Sequence, residues 1–127
     1  MLKLGEYELE TPSVCASIID EFLARMREDI EKALEQNPDI IELRLDKLHD
    51  YEGWKELLPE GTPVIITNRA EREGGHFEGT ESERIEILLN AINQGVACVD
   101  IELSTPQKQI NKILNAAKDT DTSVITS

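Results

Sequence analysis

The chain has 127 residues, the size of a single domain spanning 1–127 with room for a hydrophobic core. Lys plus Arg number 13 against 26 Asp plus Glu, a formal net charge of -13 that argues against nucleic acid or an anionic membrane as partner. Cys15 and Cys98 lie in apolar runs without C-x-x-C spacing, so both are expected to be buried free thiols in a reducing cytoplasm; no signal peptide and no apolar run near ~18 residues is read.

Residues 1–12 contain two short alternating runs around Gly5 and predict a small hairpin over 2–10. From residue 13 onward, strand-like and helix-like patterns alternate, which is the signature of a parallel α/β sheet. "SVCASI" (13–18) reads as a strand. Ile19, Phe22, Leu23, Met26, Ile30, Ala33 and Leu34 then step by three and four, predicting a helix over 20–36 that Asn37-Pro38 stops. "DIIELRLDKL" (39–48) is the second strand, followed by a short helix around 51–58. "PVIITNR" (63–69) is the third strand and "AEREGGHFEG" (70–79) a polar loop.

Thr80 with Glu83 forms a capping box ahead of Ile85, Leu88, Leu89 and Ile92, and Gly95 ends that helix. "VACVDIEL" (96–103) is the fourth strand. Thr105-Pro106 opens a helix with Ile110, Ile113, Leu114 and Ala117 on its buried face, and "SVITS" (123–127) begins a fifth strand.

The second strand alternates strictly. Ile41, Leu43 and Leu45 share one parity, and Glu42, Arg44 and Asp46 the other. A doubly wound sheet covers both faces with helices and asks for continuous apolar strands, which this is not. A (β/α) barrel instead turns one parity to the helices and the other inward, with polar groups converging at the C-terminal mouth. The same parity selects Ser17, Thr67, Arg69, Asp100 and Glu102 in the other strands. Two arginines among four acids suit mutual neutralisation and recognition of a hydroxylated or carboxylated small molecule. An antiparallel sheet with one wet face is the alternative, in which those charges are merely solvated. "TNRAEREGG" can likewise be a plain charged surface loop, and His49 and His76, with no second ligand or nucleophile at useful spacing, read as ordinary exposed histidines. No metal or cofactor motif is present.

Together, "IIELRLDKL", "VIITNRAEREGGHFEG", "VDIEL" and the terminal "VITS" resemble the type I 3-dehydroquinate dehydratases over essentially the whole chain. The resemblance implies a (β/α)8 barrel of roughly twice this length, closed at its base by a hairpin. It also implies the shikimate-pathway dehydration of 3-dehydroquinate without a cofactor, by a Schiff-base lysine and a proton-transferring histidine. Carried onto matching positions, Glu42 would stand beside that histidine, and Ser17, Glu42, Arg44 and Arg69 would form the substrate-binding surface. Glu73 would support Arg69, with Asp46, Asp100 and Glu102 in supporting places.

The family histidine would follow Ser127 by two positions and the lysine would lie a strand further on. Lys47, Lys55, Lys108, Lys112 and Lys118 fall on loops or helices and match neither group. The expectation is therefore an N-terminal half-barrel, inactive alone, with two other roles open to it: homodimerisation through exposed half-barrel edges, or weak binding of quinate-like acids.

Overall fold

In a computed structural model, residues 2–9 and 13–127 are described; Met1 and residues 10–12 of the expected hairpin segment lie outside them. Strands β1 (Leu2–Leu4) and β2 (Tyr7–Leu9) pair antiparallel as that hairpin. Strands β3 (Cys15–Ile19), β4 (Ile40–Arg44), β5 (Val64–Thr67), β6 (Cys98–Ile101) and β7 (Ser123–Thr126) form a second sheet whose spatial order equals the chain order. Every neighbouring pair in it is parallel, so the antiparallel alternative does not hold.

Helices α1 (Leu23–Leu34), α2 (Glu81–Asn93) and α3 (Gln107–Ala117) pack on one face of this sheet. The parity of Ile41, Leu43 and Leu45 faces them, together with Ile18, Val64, Ile66, Val99 and Ile101. Met26, Ile30, Ile85, Leu88, Ala91, Ile110 and Ile113 are among the helix residues packed against it in this core. Burying each such side chain contributes about 1.5–3 kcal/mol, so the helix-facing parity is where the fold's stability is concentrated.

Most local signals hold. Thr80 and Glu83 form the reciprocal capping box, and Gly95 adopts a left-handed φ of 79° just past α2. Four differ. Helix α1 starts at Leu23, not Asp20: the Asp20 carboxylate accepts the Glu21 amide at 2.7 Å, a local bond that competes with helix entry. Ile19 therefore stays in β3 opposite Arg44, and Phe22 is exposed, stacked on His49. The 51–58 segment is helical only as a 3-10 stretch over Trp54–Leu57, whose buried Trp54 and Leu57 sit three apart, one 3-10 turn. Leu114 is exposed, because Ile110, Ile113 and Ala117 take the strip that faces the core. Cys15 is also exposed, since β3 has a neighbour on one side only, whereas Cys98 is buried as expected.

The hairpin covers the N-terminal end of the sheet's other face. Leu4 packs there with Ile40 and Cys98, and with the partly buried Leu9, Ile65 and Ile125. Gly5 makes this approach possible: its φ is +60°, its amide donates to Ser123 Oγ at 2.8 Å, and a Cβ would lie 2.9 Å from the Ala97 carbonyl oxygen. Gly5→Ala is expected to lower stability by about 1–3 kcal/mol through clash and backbone strain, read as a reduced urea midpoint.

Candidate active site

The face away from the helices is layered along the strands. At the N-terminal ends it is apolar, with Ile40, Ile65, Cys98 and Ile125 under the hairpin. At the C-terminal ends the same parity carries Ser17, Glu42, Arg44, Thr67, Arg69, Asp100, Glu102 and Ser127. Parallel register brings these side chains from five strands to one edge.

Glu42 sits at the centre of three strands. Its Oε1 accepts the hydroxyl of Ser17 on β3, and its Oε2 accepts that of Thr67 on β5, both at 2.7 Å. Asp46, Asp100 and Glu102 are each ion-paired with arginine. Glu42 is held only by hydroxyls among the described residues. Its carboxylate is thus fixed in place without an ion-pair partner among the described residues.

Beside it, Arg44 is gripped by Asp46 two residues on, Nη2 to Oδ2 at 2.8 Å and Nε to Oδ1 at 3.3 Å. The buried Asp46 also accepts the His76 amide at 3.0 Å, which ties the end of β4 to the loop over 70–79. That loop doubles back tightly. The Gly75 amide donates to the Ala70 carbonyl at 2.9 Å, and a Cβ on Gly75 would fall 2.1 Å from the Arg69 carbonyl oxygen, so only glycine fits. The two glycines of "EGG" are therefore the means by which the loop folds onto the backbone of Arg69.

Arg69 reaches across β6 and β7. Its Nη1 donates to Asp100 Oδ1 at 3.1 Å, Glu102 Oε1 at 3.2 Å and Ser127 Oγ at 3.1 Å, and the Ser127 hydroxyl donates to Asp100 at 2.8 Å. Behind Glu102 lies Arg84 of α2, 1% exposed, which contacts both Glu102 oxygens at 3.1 and 3.0 Å. Arg84 is paired in turn with Glu81, and Glu81 with Arg72. The result is an alternating ladder of acids and arginines running from the inner face to the start of α2.

The structure thus joins Ser17, Glu42, Arg44, Arg69, Asp46, Asp100 and Glu102 at one edge. Among the described residues Glu73 makes no hydrogen bond or ion pair with Arg69. It is exposed and accepts the Ser104 hydroxyl at 2.6 Å, because the tight turn at Gly74 and Gly75 carries its side chain outward; Asp100 and Glu102 hold the arginine instead. Arg84 escaped the sequence reading. Its signal was its spacing, four residues before Leu88 and seven before Ala91, which places it on the core face of α2.

His49 and His76 are exposed on loops, and Lys47, Lys55, Lys108, Lys112 and Lys118 lie outside the strands, as expected. A cleft of about 940 Å3 opens beside the 70–79 loop, lined by His49, Tyr51, His76, Phe77 and Ile87, and of the candidate residues it includes only Asp46. Tyr51 on its wall is pushed up to about 12 by burial and then by the charges of Asp46 and Glu78, so its phenol remains a neutral donor.

A family model described as type I 3-dehydroquinase matches residues 14–127. The chain belongs to the type I 3-dehydroquinase family. The 3-dehydroquinate dehydratase of Methanosarcina mazei is 36% identical over 136 aligned residues, covering 100% of this chain and 55% of that protein. The enzyme of the same name from Methanothermobacter thermautotrophicus is 35% identical, covering 83% of this chain and 48% of its own length. The 3-dehydroquinate dehydratase structure from Geobacillus kaustophilus superposes with a TM-score of 0.84 at 22% identity, over 98% of this chain and 53% of that one. That from Aquifex aeolicus gives 0.73 at 29%, over 89% and 51%. The chain spans about half the length of the relatives it matches. The dehydroquinase fold is a β/α barrel, and these five parallel strands with their one-sided helices make up about half of one.

The ladder within this dehydroquinase chain has a pH signature. Hydrogen bonds from Arg84 first, and from Arg72 next, hold Glu81 down from 4.5 to about 2 against the opposing effect of burial. The unfolded chain then binds this proton more readily than the folded one. Stability from Glu81 is fully present above about pH 4.5 and is lost as pH falls towards about 2. Glu81→Gln should be less stable than the parent at pH 6, with the difference in thermal midpoint shrinking steadily as pH falls from about 4.5 towards 2.

Proposed function

We propose that residues 1–127 form the substrate-gripping part of a 3-dehydroquinate dehydratase site, in a reducing cytoplasm, and that the groups performing covalent and proton-transfer chemistry come from residues outside 1–127. The observation that carries this reading is Glu42, a carboxylate with both oxygens fixed by hydroxyls and no ion-pair partner among the described residues, on the same face of the sheet as Arg44 and Arg69. The arginines suit the carboxylate and hydroxyls of a quinate-like acid, since charge-assisted bonds of this kind contribute about 1.5–3 kcal/mol each. In the dehydration, a lysine amine would condense with the substrate ketone and release water. The resulting protonated imine would accept electrons as an imidazole takes the proton from the adjacent carbon, the imidazolium so formed would protonate the departing hydroxyl, and water would then hydrolyse the product imine to restore the ketone and the free lysine. Glu42 is placed to orient and stabilise such an imidazolium. Residues 13–127 offer neither histidine nor lysine on the inner face.

A second reading concerns the isolated chain. β3 and β7 each pair on one side only, and the apolar Val14 and Leu103 are exposed near those edges. Edge pairing between two copies would cover them, giving a homodimer. Light scattering at high concentration distinguishes this from a stable monomer.

Incubated with 3-dehydroquinate, residues 1–127 are expected to yield no conjugated enone and no borohydride-trapped adduct. A trapped lysine within the chain would overturn the assignment of that group to residues beyond it. Quinate titrated calorimetrically should saturate, and Arg69→Ala should weaken it about tenfold or more. Equal, unsaturable heats from both proteins would remove the binding reading.

A further inference from the structure

Arg69 makes all three of its contacts through one nitrogen. Nη1 serves Asp100, Glu102 and Ser127, while Nε and Nη2 have no partner among the described residues. A guanidinium beside two carboxylates ordinarily forms a two-pronged pair with one of them. Glu102 does not close on Arg69 in this way because its other side is taken: Arg84 Nη1 lies 3.1 Å from Oε1 and 3.0 Å from Oε2.

Arg84 is itself held from every direction. Glu81 takes its Nε at 2.7 Å and its Nη2 at 3.0 Å, the Asn68 carbonyl accepts from Nη1 at 3.1 Å, and the Thr105 hydroxyl lies 3.1 Å from Nη2. The acids Asp100, Glu102 and Glu81 are matched by Arg69, Arg84 and Arg72. Without Arg84 the buried Glu102 would have only Arg69 to neutralise it, and its two oxygens would be drawn onto the unpartnered nitrogens.

We infer that Arg84 is a positioning residue for Arg69: by neutralising Glu102 from the helix side, it keeps Nε and Nη2 of Arg69 open to a carboxylate- or hydroxyl-bearing ligand on the inner face. Its consequence for the ligand rests on the reading of that face as a binding surface. Its consequence for Arg69 does not. Arg84 touches no ligand position; it reaches Arg69 through the charge of Glu102, and its bond to the Asn68 carbonyl is a second, backbone route that the E102Q background isolates.

The test is a double-mutant cycle of the parent, R84Q, E102Q and R84Q/E102Q, with two readouts. One is solvent exchange of the Arg69 Nε–H by NMR, its signal assigned by loss in R69K; the other is calorimetric affinity for quinate. R84Q should slow the exchange about fivefold or more and weaken quinate about tenfold, as Glu102 closes on Arg69. E102Q and R84Q/E102Q should agree within about twofold in both, because the charge of Glu102, and not the bond from Arg84 to the Asn68 carbonyl, is the route by which Arg84 bears on Arg69. A folded R84Q with the parent's exchange rate and affinity would overturn the inference. So would a loss on removing Arg84 in the E102Q background, which is what a merely structural role predicts; that comparison decides the matter if R84Q alone does not fold. A parent that fails to bind quinate sinks the functional reading, while the exchange cycle still decides the role of Arg84.

Discussion

Side chains of a strand alternate between two faces, and in this chain that period of two divides the work of the sheet. One parity of β3 to β6 carries the aliphatic side chains that meet α1, α2 and α3, and their burial supplies the stability. The other parity is then free of any duty to the helix layer. It can be apolar where the hairpin covers it and charged where the strands end. Because all five strands are parallel and in register, their C-terminal ends lie together, and polar residues far apart in the chain become neighbours. Ser17, Glu42 and Thr67 are joined this way by two short hydrogen bonds across three strands.

Charge at such an edge is sustainable only if it is organised. Taking a carboxylate out of water without a partner costs several kcal/mol, roughly 3–5 when one member of a buried pair is removed. The run Asp100, Arg69, Glu102, Arg84, Glu81, Arg72 meets this by strict alternation, with the most deeply buried members, Glu102 and Arg84, each lying between opposite charges. Alternation also does something a single salt bridge cannot. It divides Glu102 and Glu81 between two arginines each, so that Arg69 is held firmly by one nitrogen while others stay open. Glu42 is treated differently, by hydroxyls, and keeps its charge for whatever comes to face it.

The loop over 70–79 is anchored to this edge rather than laid over it. Asp46 holds Arg44 with its carboxylate and the His76 amide with one of the same oxygens, while Gly75 lies against the carbonyl of Arg69. The backbone of the loop and the two inner-face arginines therefore share atoms and space. Asp46 links the loop to Arg44, and the close approach of Gly75 links it to the backbone of Arg69.

Much of this was legible in the sequence, and for a common reason. The parallel β/α alternation, the capping box at Thr80, the inward set of Glu42, Arg44, Arg69, Asp100 and Glu102, and the family itself all follow from short-range periodicity or from motifs with a few fixed spacings. What the sequence by itself could not determine are the matters that depend on which atoms meet across elements. Glu73 and Asp100 are equally acidic in the sequence, but only the turn at Gly74 and Gly75 sends one to Ser104 while the register of β6 sends the other to Arg69. Cys15 and Cys98 sit in similar apolar runs, yet one lies on an edge strand and the other between two neighbours. Arg84 lies in a charge-rich helix start, where an arginine is ordinarily solvated; its burial required acids from β6 and from its own first turn to arrive at the same place. Local pattern determined which residues could face inward. Only tertiary contact, through register and the need to neutralise buried charge, decided which of them are held, by whom, and which are left open.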